Sequence, residues 1–503
     1  MSLQTPDNRK LRLCTRKESR EIDEVTIRDY GMDGAVLMEI AGLKASEIIK
    51  ELTGDDSRGV YFCGKGNNAG DAFVIARYLA DLPHHQTTIV LAAGSSRFSD
   101  NAQTNFNLLK KLAKESPRIK IVDEASPDLI SQADYIIDGM IGTGLNSDLR
   151  DPLLSSSEQI NRSSATIFAL DIPTGLDCDS GEILGSCVKA DHTITFGTNK
   201  IGFYMGSGPD VTGQIHFVEL PFPEHLRTHS ATLIEPILEA ECSSETNPAA
   251  HKYDRGTVHI IAGSAGMTGA AIMSAKSAWN AGAGAVFLYA PKGILQVYEQ
   301  TLPQIIKVPL GADSDDHYNI SHAESVINNM KAKPGPVLLG PGVGRSPETT
   351  VFIERVIKSA EGPIIIDADG LFDWDNILNA ISGTPDWIIT PHIGELKKSV
   401  GLEFTTDYER MKASEKLSKQ SGCILLSKGY PTMVCTPDNG TYLTGYDTRI
   451  FSKAGFGDVL AGTIAGKLAV SSNKTESVIR SLLDNFESVQ HTAYPEPRHI
   501  YDR

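Results

Sequence analysis

Two α/β domains in series are what this sequence predicts, on three observations. Short apolar runs rich in Val, Ile and Phe alternate with longer helix-like stretches along the whole chain. Continuous apolar strands with helices between them imply parallel sheets covered on both faces. At 503 residues the chain is too long for one hydrophobic core. The alternation breaks once: Glu219-Leu220-Pro221-Phe222-Pro223 closes the first series, and a charged segment with Cys242-Ser243-Ser244-Glu245-Thr246-Asn247-Pro248 precedes the second. The boundary is expected near 235–245, giving domains 1–235 and 240–503.

In the first half the expected strands are 59–64, 87–92, 133–139, 165–172, 192–197 and 214–220. In the second they are 257–263, 285–291, 336–340, 363–367, 387–390 and 423–428. In open α/β sheets ligands bind beyond the carboxyl ends of the strands, so the residues just after each strand are the candidate site residues.

The formal net charge of −16 argues against a nucleic acid or an anionic membrane surface as partner. A local positive pocket for a phosphorylated small molecule remains compatible with it. Cys14, Cys63, Cys178, Cys187, Cys242, Cys423 and Cys435 show no CxxC pair or metal-like spacing, and read as reduced thiols in a cytoplasmic protein. The first residues lack the apolar core of a secretory signal, and no apolar run approaches the length of a transmembrane helix.

Three strand ends of the first half carry oxygen ligands and glycine turns. Gly64-Lys65-Gly66-Asn67-Asn68-Ala69-Gly70-Asp71-Ala72 opens a helix; Asp138 is followed by Gly142-Thr143-Gly144-Leu145; Asp171-Ile172-Pro173-Thr174-Gly175-Leu176-Asp177 follows the next strand. Each alone also reads as turn or helix-cap chemistry. Together they should converge on one crevice. Hard oxygens from Asn68, Asp138 and Thr174 suit a cation such as K⁺ or Mg²⁺ better than zinc. The glycine turns would cradle phosphates, although the spacing is not the GxGxxG dinucleotide fingerprint.

With Glu21-Ile22-Asp23 and Leu37-Met38-Glu39-Ile40-Ala41-Gly42, these motifs resemble the NAD(P)H-hydrate epimerase family over residues 10–225. That family interconverts the R and S forms of the hydrated cofactor NAD(P)HX. The resemblance implies a Rossmann-like three-layer αβα domain, with K⁺ held by Asn68, Asp138 and Thr174. It implies that the hydrate is bound by Asn67, Asn68, Ala69, Gly70 and Asp71 together with Gly142, Thr143, Gly144, Leu145, Asn146, Ser147 and Asp148. Asp171 would be the acid/base that shuttles the proton of the leaving hydroxyl. Ala69 and Ala72 stand where glycines are usual in the family loop, and are expected to alter its fit.

The second half begins with His251-Lys252-Tyr253-Asp254-Arg255-Gly256, and a helix starts at Gly269-Ala270-Ala271. Later strand ends carry Gly340-Pro341-Gly342-Val343-Gly344, Asp367-Ala368-Asp369-Gly370-Leu371, Thr390-Pro391-His392-Ile393-Gly394-Glu395 and Ser427-Lys428-Gly429. The most informative stretch is Ala454-Gly455-Phe456-Gly457-Asp458-Val459-Leu460-Ala461-Gly462. Backbone N–H groups at such a helix start bind anions, and a carboxylate there can take a proton from a hydroxyl nucleophile. A Gly-rich turn with an aspartate cap is the plainer reading of the stretch alone.

The order and spacing of these motifs resemble the ribokinase-like fold, and within it the ADP-dependent (S)-NAD(P)H-hydrate dehydratase family over residues 245–470. The resemblance implies that Ala270, Gly344, His392 and Asp458 contact the hydrate. Lys428, Gly429, Tyr430, Pro431 and Thr432, with Gly455, Phe456 and Gly457, would contact the nucleotide. ADP, with Mg²⁺, would phosphorylate the ring hydroxyl, phosphate would then leave, and Asp458 would act as base. The two domains in one chain imply a bifunctional repair enzyme that takes NAD(P)HX and ADP as ligands and forms a homo-oligomer. Phe456 stands where Thr or Ser is usual, Lys453-Ala454 replaces a Gly-rich lead-in, Ile393 replaces a proline, and the chain after residue 470 lacks the usual His-Gly helix. One alternative is therefore an active epimerase with an impaired dehydratase half. Others are a kinase for a different small alcohol and a nucleotide-binding scaffold.

Overall fold

The computed structural model describes residues 9–94, 97–235, 256–381 and 386–502. The boundary expected at 235–245 begins at the last residue of one described stretch and otherwise lies outside the described residues, as do Cys242 and the His251-Lys252 start of the second half. The chain divides into two compact units, Met1–Thr232 with Thr406–Tyr408, and Leu233–Thr405 with Glu409–Arg503.

The first unit opens with β1 (Arg12–Cys14), α1 (Arg16–Arg28) and α2 (Gly34–Thr53). Thr15 and Glu18 form a reciprocal capping box that starts α1. The unit continues through β2 (Arg58–Cys63), α3 (Asn67–Ala80), β3 (Gln86–Val90), α4 (Asp100–Glu115), β4 (Ile119–Val122), α5 (Pro127–Ser131) and β5 (Tyr135–Gly139). It ends with α6 (Leu153–Asn161), β6 (Thr166–Leu170), β7 (His192–Phe196), β8 (Asn199–Lys200), α7 (Gly208–Val211) and β9 (Gln214–Val218). β10 (Ala231–Ile234) pairs antiparallel with β1 through Leu13 and Ala231.

The sheet order is β4-β3-β2-β5-β6-β7-β9, and every pair is parallel. Each residue of β5 is buried, as expected of a central strand covered on both faces. The chain leaves β2 toward β3 and β4, then returns to β5 on the other side, so the crevice opens between β2 and β5. Register aligns Cys63 with Gly139 and Asp138 with Ala169, which brings three strand ends to one edge.

The second unit contains β11 (Thr257–Ile261), α8 (Thr268–Asn280), β12 (Ala285–Pro291), α9 (Leu295–Thr301), β13 (Ile306–Leu310), α10 (Ala323–Ala332) and β14 (Val337–Leu339). There follow α11 (Pro347–Ile357), β15 (Ile364–Ile366), α12 (Trp374–Ile381), β16 (Trp387–Ile389), α13 (Ile393–Lys398), α14 (Asp407–Ser421) and β17 (Ile424–Ser427). The last elements are β18 (Met433–Cys435), β19 (Thr441–Thr444), α15 (Phe456–Val470), α16 (Lys474–Val489) and α17 (Arg498–Tyr501).

Strands here run β13-β12-β11-β14-β15-β16-β17-β18-β19. All pairs are parallel except β17–β18 and β18–β19. This corrects the expectation of a purely parallel second sheet. The short loop 436–440 has no room for a crossover helix, so β18 and β19 can pair only as a hairpin. All twelve anticipated strands are present, most of them shorter than expected. The short β1, β4, β8, β10, β13, β18 and β19 were not anticipated, because several carry charges or prolines that break the apolar run.

Gly340 closes β14 at φ +121°, where a Cβ would lie 2.0 Å from the Asp367 carbonyl oxygen. Both the backbone conformation and the contact require glycine. Gly340→Ala is expected to destabilise the second unit by about 2–4 kcal/mol, read as a lowered urea midpoint for that unit. An unchanged midpoint would show that the loop relaxes freely.

Candidate active sites

In the first unit the three strand ends line a cavity of about 630 Å³. Asn67, Asn68 and Asp71 border it from the first turn and a half of α3, whose N-cap is Gly66. No side chain caps that helix start, so its first N–H groups are available to a ligand. Gly142, Thr143 and Gly144 line the cavity on the loop after β5. Gly142 is pinned at a narrow point: a Cβ there would lie 3.0 Å from Asp171 Oδ2 and 3.6 Å from Asn68 Cγ. Leu145, Asn146, Ser147 and Asp148 border an adjoining cleft of about 430 Å³ instead, with Leu145 turned into the protein.

Ala69 and Ala72 are fully buried in the apolar core beneath the cavity. Their methyl groups pack against the sheet rather than reshaping the loop, which corrects the expectation of an altered fit. A Cβ on Gly139 would lie 2.8 Å from the Ala72 methyl. Gly70 faces Met38 and α4, so neither its side nor that of Ala69 meets the cavity.

Asp138 is fully buried and accepts bonds from the Thr174 backbone N–H at 2.7 Å, the Thr174 hydroxyl at 2.7 Å and the Met140 N–H at 3.2 Å. Burial raises its carboxyl to about 6 against these bonds. Asn68 is different: both its Oδ1 and Nδ2 are buried with no protein partner. Such an orphaned amide is costly unless something outside the protein satisfies it.

Asp171 adopts φ +61°, strained for a residue with a Cβ. Its carboxylate meets Lys200 Nζ at 2.5 Å. Lys200 is 1% exposed, and its ammonium also donates to the Thr195 hydroxyl at 2.7 Å and the Thr198 carbonyl at 2.9 Å. Asp71 and Asp23 border the same cavity. Burial, then the neighbouring Asp171 charge, raises both carboxyls, and Asp71 lies well above the usual range. The sequence reading did not name Lys200 as a site residue; a lysine in a short strand carries no local sign that it will be buried. Asp23 was visible only as part of a motif.

In the second unit, Lys428 Nζ meets Asp367 Oδ1 at 2.7 Å. A Cβ on Gly457 would lie 3.3 Å from that ammonium and 4.0 Å from Asp367 Oδ2, so strand ends β15 and β17 converge on the start of α15. Gly455, at φ +96°, is the N-cap, and no side chain caps the helix. Asp458 sits in its first turn; burial, then the charge of Asp367, pushes its carboxyl up to about 6. Asp369 accepts from the Gly344 N–H at 3.1 Å and from Arg345 Nε at 2.6 Å, which ties Gly344 to the same carboxylate cluster. Ala270 is adjacent to that turn: a Cβ on Gly342 would lie 3.1 Å from its methyl.

Lys428, Gly429, Tyr430, Thr432, Phe456 and Gly457 border a cavity of about 520 Å³. Pro431 lies behind it, its carbonyl accepting from the fully buried Arg410, which also donates to Ser427 Oγ. Phe456 is only 3% exposed and packs with Val459, Val489 and Ile500. Its ring belongs largely to an apolar cluster at one wall, leaving the helix start unobstructed at Gly457. His392 is exposed and forms a capping box with Glu395 at the start of α13, so its ring is engaged in the helix cap as well as bordering the cavity. The stretch after residue 470 forms α16, which packs against α15 and contributes Leu482 and Asn485 to the cavity. Asp367, Asp369, Arg410 and Asn485 were not named as site residues from sequence; the first two stood in plain view in a strand-end motif.

No helix among the described residues is long and apolar enough to cross a membrane. The six described cysteines are buried and unpaired. Residues 34–202 match the family described as YjeF-related protein N-terminus, and residues 258–490 match NAD(P)H-hydrate dehydratase. The chain is 32% identical over 473 residues to a bifunctional NAD(P)H-hydrate repair enzyme Nnr from Salinibacter ruber, covering 89% of this chain and 86% of the relative. It is 30% identical over 486 residues to that enzyme from Dictyoglomus turgidum, covering 95% and 92%. A solved ribokinase-like superfamily protein from Enterococcus faecalis aligns with a TM-score of 0.48 at 18% identity, over 55% of this chain and 94% of that one. At this identity and coverage, with both halves matched in order, the chain belongs to the bifunctional NAD(P)H-hydrate repair enzyme family.

Proposed function

We propose that the first unit interconverts the R and S forms of NAD(P)HX and that the second dehydrates the S form with ADP as phosphoryl donor, giving AMP and phosphate. The observation that carries this reading is the presence, in each unit, of a lysine–aspartate pair beside an uncapped helix start, with a second aspartate of raised proton affinity.

In the first unit Asp171 is the base and Asp71 the proton donor. Epimerisation needs the ring hydroxyl to leave as water and return on the other face, or the ring to open and close. Either route needs a proton delivered and recovered. The Lys200 ammonium orients the Asp171 carboxylate, while burial and then the neighbouring Asp171 charge raise the Asp71 carboxyl and favour its protonated form. Asn67 and the turn Gly142–Gly144 hold the hydrate, with Asn146, Ser147 and Asp148 on its more distant parts. The orphaned amide oxygen of Asn68 and the hard oxygens of Asp138 and Thr174 are ligand types that suit K⁺, which these three residues would hold. When bound, K⁺ supplies positive charge that organises these loops and the hydrate's oxygens.

In the second unit Asp458 accepts the proton of the ring hydroxyl as that oxygen attacks the terminal phosphorus of ADP. N–H groups at Gly455–Gly457 and Lys428 stabilise the transferring charge, and AMP departs. Phosphate then leaves with a proton from the adjacent ring carbon, restoring the double bond. Ala270, Gly344 and His392 position the hydrate, and the Lys428–Thr432 segment with Phe456 positions the nucleotide. Among the described residues no three His, Cys, Asp or Glu side chains form a metal cage. Mg²⁺ needs none, since it binds through one or two carboxylates, phosphates and water; Asp367 and Asp369 are the carboxylates available. Homo-oligomeric assembly and cytoplasmic residence belong to the same proposal.

Recovery of NADH absorbance from an R/S mixture of NADHX, with ADP, Mg²⁺ and K⁺, tests the whole. Complete recovery is expected, whereas a plateau at the S fraction would remove the epimerase. Lys200→Met should slow epimerisation roughly 100-fold while dehydration of pure S hydrate is unchanged. Equal loss of both activities would point to misfolding instead.

Dehydration should fall about tenfold per pH unit below pH 6, because Asp458 must be ionised to act as base and its carboxyl titrates at about 6. A raised carboxyl in the folded state also means that its charge opposes folding above that pH. Asp458→Asn should therefore lose roughly 10²–10⁴ in kcat and yet stabilise the unit at pH 7.5 by about 1 kcal/mol. A lowered melting temperature for this variant would contradict the burial argument.

A further inference from the structure

The nucleotide cavity of the second unit is bordered by a buried amide that the proposed chemistry leaves unused. Asn485, on α16, is 4% exposed and borders that cavity. The Thr463 hydroxyl, shared with the Val459 carbonyl at 2.9 Å, lies 3.2 Å from its Oδ1. Among the described residues its Nδ2 has no hydrogen-bond partner, and it keeps some exposure to solvent. The open side of this amide is therefore the cavity. Such a donor, held by its other end beside apolar groups, is costly to leave unmet and selective for whatever meets it.

Phosphate chemistry belongs to the other end of the cavity, where Lys428 and Gly457 converge. Asn485 is tied to Thr463, six residues further along α15, which is about 9 Å along the axis at 1.5 Å per residue. A ribose and its phosphate bridge a gap of that order. Leu460, Leu482 and Phe451 supply apolar lining to the cavity, and Thr448, Arg449 and Ser452 supply polar lining. Apolar side chains beside an amide donor suit a flat aromatic ring that presents an acceptor on its edge.

We propose that Asn485 is a specificity-determining residue for the phosphoryl donor, its Nδ2–H donating to a ring nitrogen of the purine base. The inference rests on the reading of this cavity as the nucleotide site. Purines offer N1, N3 and N7 as acceptors. Replacing the correct nitrogen by C–H removes the acceptor and leaves the ring shape unchanged.

The test is dehydration of (S)-NADHX by the full-length enzyme with ADP and with its 1-deaza, 3-deaza and 7-deaza analogues. With the wild type, one analogue should raise KM roughly 5- to 30-fold, with kcat within about twofold. Asn485→Leu should raise KM for ADP by a similar factor and become indifferent to that analogue. Asn485→Asp keeps the acceptor for Thr463 and lacks the N–H donor, so it should also lose the discrimination. It serves if circular dichroism shows that Asn485→Leu does not fold. The inference is overturned if the wild type uses all three analogues as it uses ADP, or if the penalty persists in the variants. Failure of the wild type to use ADP at all would bring down the functional reading, and this inference with it. Turnover of ADP without the deaza pattern would remove the inference alone.

Discussion

An ammonium group buried to the extent of Lys200 would cost several kcal/mol if left without a counter-charge. The Asp171 carboxylate and the oxygens of Thr195 and Thr198 meet that cost, and in doing so they fix the site's geometry. Lys428 and Asp367 form the corresponding pair in the second unit, where the aspartate rather than the lysine is the more deeply buried partner. In each unit that lysine is paired with one aspartate, and a further buried carboxyl stands nearby. Burial, and then the charge of the neighbouring Asp171 or Asp367, raises the carboxyls of Asp71 and Asp458. Burial beside a second carboxylate favours the protonated form of such a group and readies it for proton transfer.

Parallel sheets make that arrangement possible. Strands running the same way end on the same edge, so residues far apart in sequence, such as Asn68, Asp138 and Asp171, meet without any local motif linking them. The same geometry gathers Gly344, Asp369, Lys428 and Asp458 in the second unit. Glycine N-caps at α3 and α15 leave helix donors open at both places. The antiparallel hairpin β18–β19 extends the second sheet beyond β17, and β19 again ends on that edge, with Thr448 and Phe451 beyond it bordering the cavity.

Several residues that looked like departures at a site are packing residues. Ala69 and Ala72 fill the core under their cavity, and most of the Phe456 ring is covered by Val459, Val489 and Ile500. Residues after 470 form a helix against α15 despite their unusual sequence, because an apolar stripe through Val478, Leu482 and Val489 suffices to dock it. A substitution within a glycine-rich motif is thus decided by which way the side chain points, which the motif alone does not specify.

Sequence by itself determined the two α/β units, their main strands and the chemistry at each strand end. Those signals are local: apolar runs, glycine turns and helix-start residues are dictated by neighbouring backbone geometry. The hairpin at the second sheet's edge, the burial of Lys200, the orphaned amide of Asn68 and the placement of Asn485 were decided only by the tertiary structure. Each depends on what distant segments pack against the residue. A lysine in a two-residue strand and an asparagine within a helix read as ordinary surface positions until the rest of the fold removes their water.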